Sequence, residues 1–133
     1  MGMFDGIAIS ASGLTAERLR TDVIAQNLAN ANTPGYQRQV TILQSRPLSF
    51  GDAMTQAGGG VTVAGVVGDG APQRLVYDPG NPQANAQGYV SMPNVNPVTE
   101  MTDLITTQRS YEANATALST TKTMFQRTWD ILR

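Results

Sequence analysis

Asn27-Leu28-Ala29-Asn30-Ala31-Asn32-Thr33-Pro34-Gly35-Tyr36 sets three side-chain amides within six positions and then stops in Thr-Pro-Gly. Proline disfavours the helical region for the residue before it, and glycine leaves that region readily. The stretch therefore closes a helix and redirects the chain. Amides at this density predict a surface that is hydrogen-bonded by other protein backbone, not an ordinary solvent-facing helix end.

Working back from the motif, residues 5 to about 30 read as one helix. Ile7, Ala11, Leu14, Ala25 and Leu28 form an apolar stripe at spacings of three, four and seven. Ala16, Leu19 and Val23 form a second stripe on nearly the opposite side. A surface helix of a lone globule needs only one apolar face. Two faces mean either a small buried helix or a helix packed on both sides.

Working forward, Gln39–Leu43, Val61–Val67 and Arg74–Tyr77 are short, β-branched and bounded by glycine or proline, so they are predicted as strands. Gly58-Gly59-Gly60 reads as a flexible tether, and Asp78-Pro79-Gly80-Asn81-Pro82 as a turn cluster. Residues 36–96 are thus expected to form a small β-rich, loop-rich excursion between helical segments at 1–35 and 97–133.

The second helical segment carries the stronger signal. Asn96 suits the cap, Pro97 the first helical position, and Glu100 with Asp103 the positive end of the dipole. Leu104, Tyr111, Leu118, Phe125 and Leu132 recur at every seventh position, as in a helix–helix seam. Its outer face is expected to be rich in threonine: Thr99, Thr102, Thr106, Thr107, Thr116, Thr120, Thr121, Thr123 and Thr128. Isolated surface helices rely on Glu–Lys pairs, and Arg109 with Glu112 is the only clear charged pair here. A long helix of this kind makes sense packed on several sides by other chains.

Bulk composition narrows the function classes. The 133 residues suit one modest domain. Charged residues make up 14% of the chain, with a formal net charge of −1, against about 25% charged in ordinary domains. No electrostatic footprint for nucleic acid or acidic lipid follows from that balance. Cysteine and histidine are both absent, which removes thiol nucleophiles, Ser-His triads and imidazole or thiolate zinc sites. The Met-Gly-Met-Phe-Asp-Gly-Ile start has neither the basic nor the apolar region of a cleavable signal peptide. No segment approaches the roughly 20 apolar residues that span a bilayer.

The remaining candidates for chemistry are weak. The ten acidic residues are scattered, and the pair Glu100 and Asp103 already has a helix-dipole rationale. The glycines of Gly65-Val66-Val67-Gly68-Asp69-Gly70 do not match a phosphate-binding spacing. No catalytic, cofactor-binding or metal-ligating residue is assigned.

The motif at 27–36, following a helix near the N-terminus, resembles the signature shared by bacterial flagellar rod and hook proteins. Four further blocks narrow the resemblance to the proximal rod: Leu75–Pro82, Gly88-Tyr89-Val90-Ser91-Met92-Pro93-Asn94-Val95-Asn96, Glu100-Met101 and Arg109-Ser110-Tyr111-Glu112-Ala113-Asn114. The resemblance covers essentially the whole chain. It implies a mainly α fold, with long N- and C-terminal helices paired as an antiparallel coiled coil around a small β-rich segment. It also implies export through the flagellar type III apparatus without a cleaved signal, and assembly in the periplasm with other rod proteins and copies of itself. On that reading Ile7, Ala11, Leu14 and Leu28 pack against Leu104, Tyr111, Leu118 and Phe125 within a subunit. Leu19, Val23, Asn27, Asn30, Asn32, Arg109 and Asn114 would face neighbouring subunits. Neither nucleic-acid binding nor membrane insertion is expected. The alternative from another class is a soluble helical binding module or secretion chaperone, which would fold alone and bind one client.

Overall fold

The computed structural model describes residues 3–46 and 59–131; Gly58 and Leu132, named above, lie outside them. Helix α1 spans Met3–Ala29. Four strands follow: β1 Gln39–Ser45, β2 Val61–Gly68, β3 Arg74–Tyr77 and β4 Tyr89–Met92. Helix α2, Pro97–Ile131, has 35 residues and is about 50 Å long at 1.5 Å per residue.

Local chemistry sets the helix ends. After Ala29 the motif tightens into turns, with the Thr33 N–H donating to the Asn30 carbonyl at 3.0 Å. Gly35 adopts φ 78°, in the left-handed region that favours glycine, and its N–H reaches the Ser91 carbonyl of β4 at 2.9 Å. The turn is therefore tied to a strand more than fifty residues later. At the other end Asn96 Oδ1 accepts from the Val98 N–H at 3.0 Å, the expected cap.

The two helices lie side by side and run in opposite directions. Asn27, near the end of α1, meets Glu100 in the first turn of α2. Further along, the amide of Asn114 lies directly over Gly13, where a Cβ would come within 3.0 Å of its nitrogen.

Between the helices stand two separate two-stranded antiparallel sheets, β1–β2 and β3–β4. The first has a bulge at Ala64, because Ile42 pairs with Gly65 and Leu43 with Val63. The second is closed by an edge-on contact of Tyr77 and Tyr89, 5.3 Å between ring centres. Strand β4 was not anticipated, since four residues stopped by Pro93 carry little periodicity. Nor is the glycine run a free tether over its described part. Gly60 has φ 106°, and a Cβ there would lie 2.5 Å from the Ser12 hydroxyl of α1. That hydroxyl accepts from the Val61 N–H at 3.0 Å, so glycine serves a close approach of β2 to the helix.

Burial is concentrated near the motif. Ala16, Val23, Ile24, Ala31 and Val90 form the apolar core. Within residues 5–29 of α1 nothing before Ala16 is buried, and within residues 97–130 of α2 nothing after Thr107 is. Val66, Val67, Leu75, Tyr77, Met101, Ile105, Met124 and Trp129 stay exposed.

Candidate functional site

Where α1 ends, the excursion begins and α2 starts, the structure builds a junction from polar side chains. Its centre is Asn27, only 1% exposed. Its amide nitrogen donates to the Gln39 carbonyl at 2.8 Å and to Glu100 Oε2 at 3.3 Å. Its amide oxygen accepts from the Tyr36 hydroxyl and from the Gln39 N–H, each at 2.9 Å. An amide offers two donors and two acceptor positions, and all four are used. A buried side chain satisfied in this way adds specificity without the cost of an orphaned polar group.

Glu100, also 1% exposed, is the second member. Its Oε1 takes the Arg38 Nε–H at 2.7 Å, a short charge-assisted bond. Arg38 also reaches Asp69 Oδ2 at 3.2 Å, just beyond β2. Asp69 is fastened in turn: its N–H donates to the Arg38 carbonyl at 2.7 Å and its Oδ1 accepts from the Ala71 N–H at 3.1 Å. One guanidinium thus links the β1–β2 hairpin to the first turn of α2. A second tie runs through Gln73, whose amide donates to the Tyr36 carbonyl at 3.1 Å and accepts from the Ser91 hydroxyl.

The electrostatics follow from this geometry. Burial pulls the Arg38 guanidinium down, but the hydrogen bonds and charges of Glu100 and Asp69 outweigh it and hold it above its usual range. Asp69 is held below the usual carboxylate range, first by the Ala71 N–H and then by Arg38. Burial, with the Glu100 charge beside it, pushes the Tyr36 hydroxyl up, which keeps it a proton donor to Asn27. A cleft of about 270 Å³ adjoins the junction, lined by Arg20, Val23, Thr41, Asp103 and the junction residues. Among the described residues no cluster of acidic side chains could hold a metal ion, and no helix is long and apolar enough to cross a membrane. The arrangement positions three chain segments.

Of the residues expected to face neighbours, Val23 and Asn27 are instead used inside the chain, at 4% and 1% exposure. Both are covered within the single chain, contrary to the sequence reading, and for Asn27 the covering groups Gln39 and Glu100 come from other segments. Leu19, Asn32 and Arg109 are exposed, Asn30 is half-buried, and Asn114 is half-buried over Gly13. Among the expected seam residues, Ile7, Leu14, Leu28, Leu104, Leu118 and Phe125 are half-buried, while Ala11 and Tyr111 are exposed. Thr107, expected on the outer face, is fully buried and its hydroxyl has no partner. Glu100 was read as a helix-dipole residue; its pairing with Arg38, sixty-two positions away, had no local signal.

Comparison with known proteins covers both ends and the whole length. Residues 7–37 match the family model described as flagella basal body rod protein. Residues 86–131 match the one described as flagellar basal body rod FlgEFG protein C-terminal. The chain is 42% identical to the flagellar basal-body rod protein FlgC of Bacillus subtilis, over 98% of this chain and 99% of that one. It is 40% identical to the FlgC of Borreliella burgdorferi, over 100% of this chain and 99% of the relative. Against the FlgC of Salmonella typhimurium the identity is 43%, over 96% of each.

Proposed function

The chain belongs to the FlgC family of flagellar basal-body rod proteins and is a structural subunit of the rod; on that premise we propose how its parts divide the work. Segments 1–35 and 97–133 form the wall of a hollow helical axle of the proximal rod, paired within each subunit as an antiparallel coiled coil. Segment 36–96 is an excursion whose angle to the wall is set by the Asn27–Arg38–Glu100 junction. The subunit reaches the periplasm through the flagellar export apparatus without a cleaved signal, and meets other rod proteins and copies of itself there. Leu19, Asn32, Arg109 and the exposed threonines of α2 lie on faces open to such neighbours.

One observation carries this reading: burial is confined to one end of a long helix pair, while Ile105, Met124 and Trp129 remain at least half exposed along α2. Helices without packing are marginal in water, so neighbouring subunits must cover the distal half. The sequence has no cysteine, which makes the test clean. Thr116→Cys or Thr120→Cys, oxidised in isolated basal bodies, should give ladders of cross-linked subunits. Monomer alone from both positions would overturn the division of faces. Purified subunit whose helices melt cooperatively at full helical content would also count against it.

A further inference from the structure

On the side turned toward α1, helix α2 carries two columns, each repeating every seventh residue. Leu104, Tyr111, Leu118 and Phe125 form the apolar column, and Glu100, Thr107, Asn114 and Thr121 the polar one. Helix α1 carries Gly6, Gly13, Arg20 and Asn27 at a seven-residue spacing; Ile9 and Ala16 lie on the side of α1 that meets β2. Fourteen residues separate Gly13 from Asn27, and fourteen separate Glu100 from Asn114, so the two observed contacts belong to a single register.

An apolar column of period seven cannot define that register by itself. Sliding α2 by seven residues replaces each leucine or aromatic ring by another. The polar column is not interchangeable in this way. Sliding one way brings Arg20 to the place of Gly13, under an Asn114 amide that already sits within 3.0 Å of where a Cβ would be. Sliding the other way offers Asn114 another glycine, Gly6, but takes Glu100 away from Asn27 and Arg38 and sets Arg20 opposite it. The carboxylate would exchange two donors for one cation, and the buried Asn27 amide would lose an acceptor, which is costly.

We propose that the polar column is the register key of the helix pair. The Asn27–Glu100–Arg38 junction is broken by either displacement, and the Gly13–Asn114 contact excludes one of them a second time. Together they set the axial position of the exposed Met124 and Trp129 relative to α1. A displacement by seven residues would move those side chains by about 10 Å along the axis, enough to misplace any neighbour that packs on them. Buried polar residues that fix helix register at some cost in stability are well attested in paired helices. Asn27 and Glu100 are positioning residues in this sense, and the inference does not depend on rod assembly.

Disulfide trapping in the purified full-length chain tests it. Gly13→Cys with Asn114→Cys reads the observed register. Gly13→Cys with Thr107→Cys, carrying Asn114→Ala so that the new side chain has room, reads the displacement that the Gly13–Asn114 contact does not exclude. In the observed register the latter pair is about 10 Å apart along the axis, beyond the Cα separation of roughly 7 Å that a disulfide tolerates. Asn27→Leu, Arg38→Leu and Glu100→Leu are then combined, so that no buried charge is left unpaired. The 13–107 cross-link, relative to 13–114, should rise about fivefold or more in that background, as loss of about a kilocalorie of discrimination requires. An unchanged ratio in a chain that keeps its helical circular dichroism overturns the proposal. If the triple variant loses helicity, Asn27→Asp decides instead, because it sets a second carboxylate against Glu100. The same rise supports the key, and an unchanged ratio sinks it.

Discussion

Arg38→Leu and Glu100→Leu each remove one half of the same ion pair, yet the geometry predicts very different costs. Glu100 is 1% exposed, whereas the Arg38 side chain is 23% exposed and keeps Asp69 as a second partner. Removing Arg38 leaves a carboxylate shut away from water, with one donor left, the Asn27 amide at 3.3 Å. Breaking a buried pair on the side that strands a charge costs about 3–5 kcal/mol. Removing Glu100 leaves a guanidinium that still has Asp69 and can turn toward solvent. The cost there should be only about 1–2 kcal/mol, close to that of a lost charge-assisted hydrogen bond.

The double variant strands no charge and fills the space with apolar side chains, so it should cost about 2 kcal/mol, less than Arg38→Leu alone. A second, unusual rescue should therefore be visible: adding Glu100→Leu to Arg38→Leu restores stability. Urea unfolding followed by circular dichroism at pH 7, with exchange of the Gln39 and Asp69 amides, measures all three variants. Equal costs for the two single changes, or a double variant as unstable as their sum, would refute the reasoning.

Three further outcomes follow from single contacts. Thr107→Val keeps the shape of a fully buried side chain and removes a hydroxyl that has no partner; it should stabilise the chain by about 1 kcal/mol in urea titrations. Gly60→Ala forces an L-residue to φ 106° and a methyl group onto Ser12, so it should cost about 2–3 kcal/mol and speed exchange of the Arg46 and Val61 amides. Asp69 has a folded-state pKa below its unfolded value, so its stabilisation is complete above about pH 4 and fades as pH falls through the folded value. Asp69→Asn should lose that part of the acid limb, measured by thermal melts between pH 2 and 5.

The elements legible in the sequence were those fixed by near neighbours. Asn96 and Pro97 start α2 because capping is satisfied within two residues, and Thr33-Pro34-Gly35 ends α1 for equally local reasons. Strands β1, β2 and β3 were visible through β-branched runs, and β4 was not, because its pairing with β3 spans the Asp78–Gly88 loop. The junction was half legible. Its amide stands out in the sequence, but local pattern points Asn27 at neighbouring subunits, since its partners Gln39 and Glu100 lie twelve and seventy-three positions away. The sequence does carry one further signal. Glu100, Thr107, Asn114 and Thr121 recur every seventh residue beside the apolar column, and a polar column in that phase marks an inner face.

The placement of that polar column bears on how a rod subunit reconciles two demands. A rod subunit that packs on neighbours must leave apolar surface uncovered until they arrive, and uncovered apolar surface does not discriminate between registers. Directional groups do, because a carboxylate deprived of its donors is penalised wherever the helices slide. Confining those groups to the end of the pair near the motif lets one folded end define the geometry, while the distal turns of α2 contribute surface. Burial near Asn27 and exposure near Trp129 are then parts of one arrangement on this proposal: the junction would fix where the exposed side chains stand, and neighbouring subunits would cover them. On this argument, weakening the junction should harm assembly more than its effect on subunit stability alone would suggest, because a displaced helix still presents an apolar face, at the wrong height.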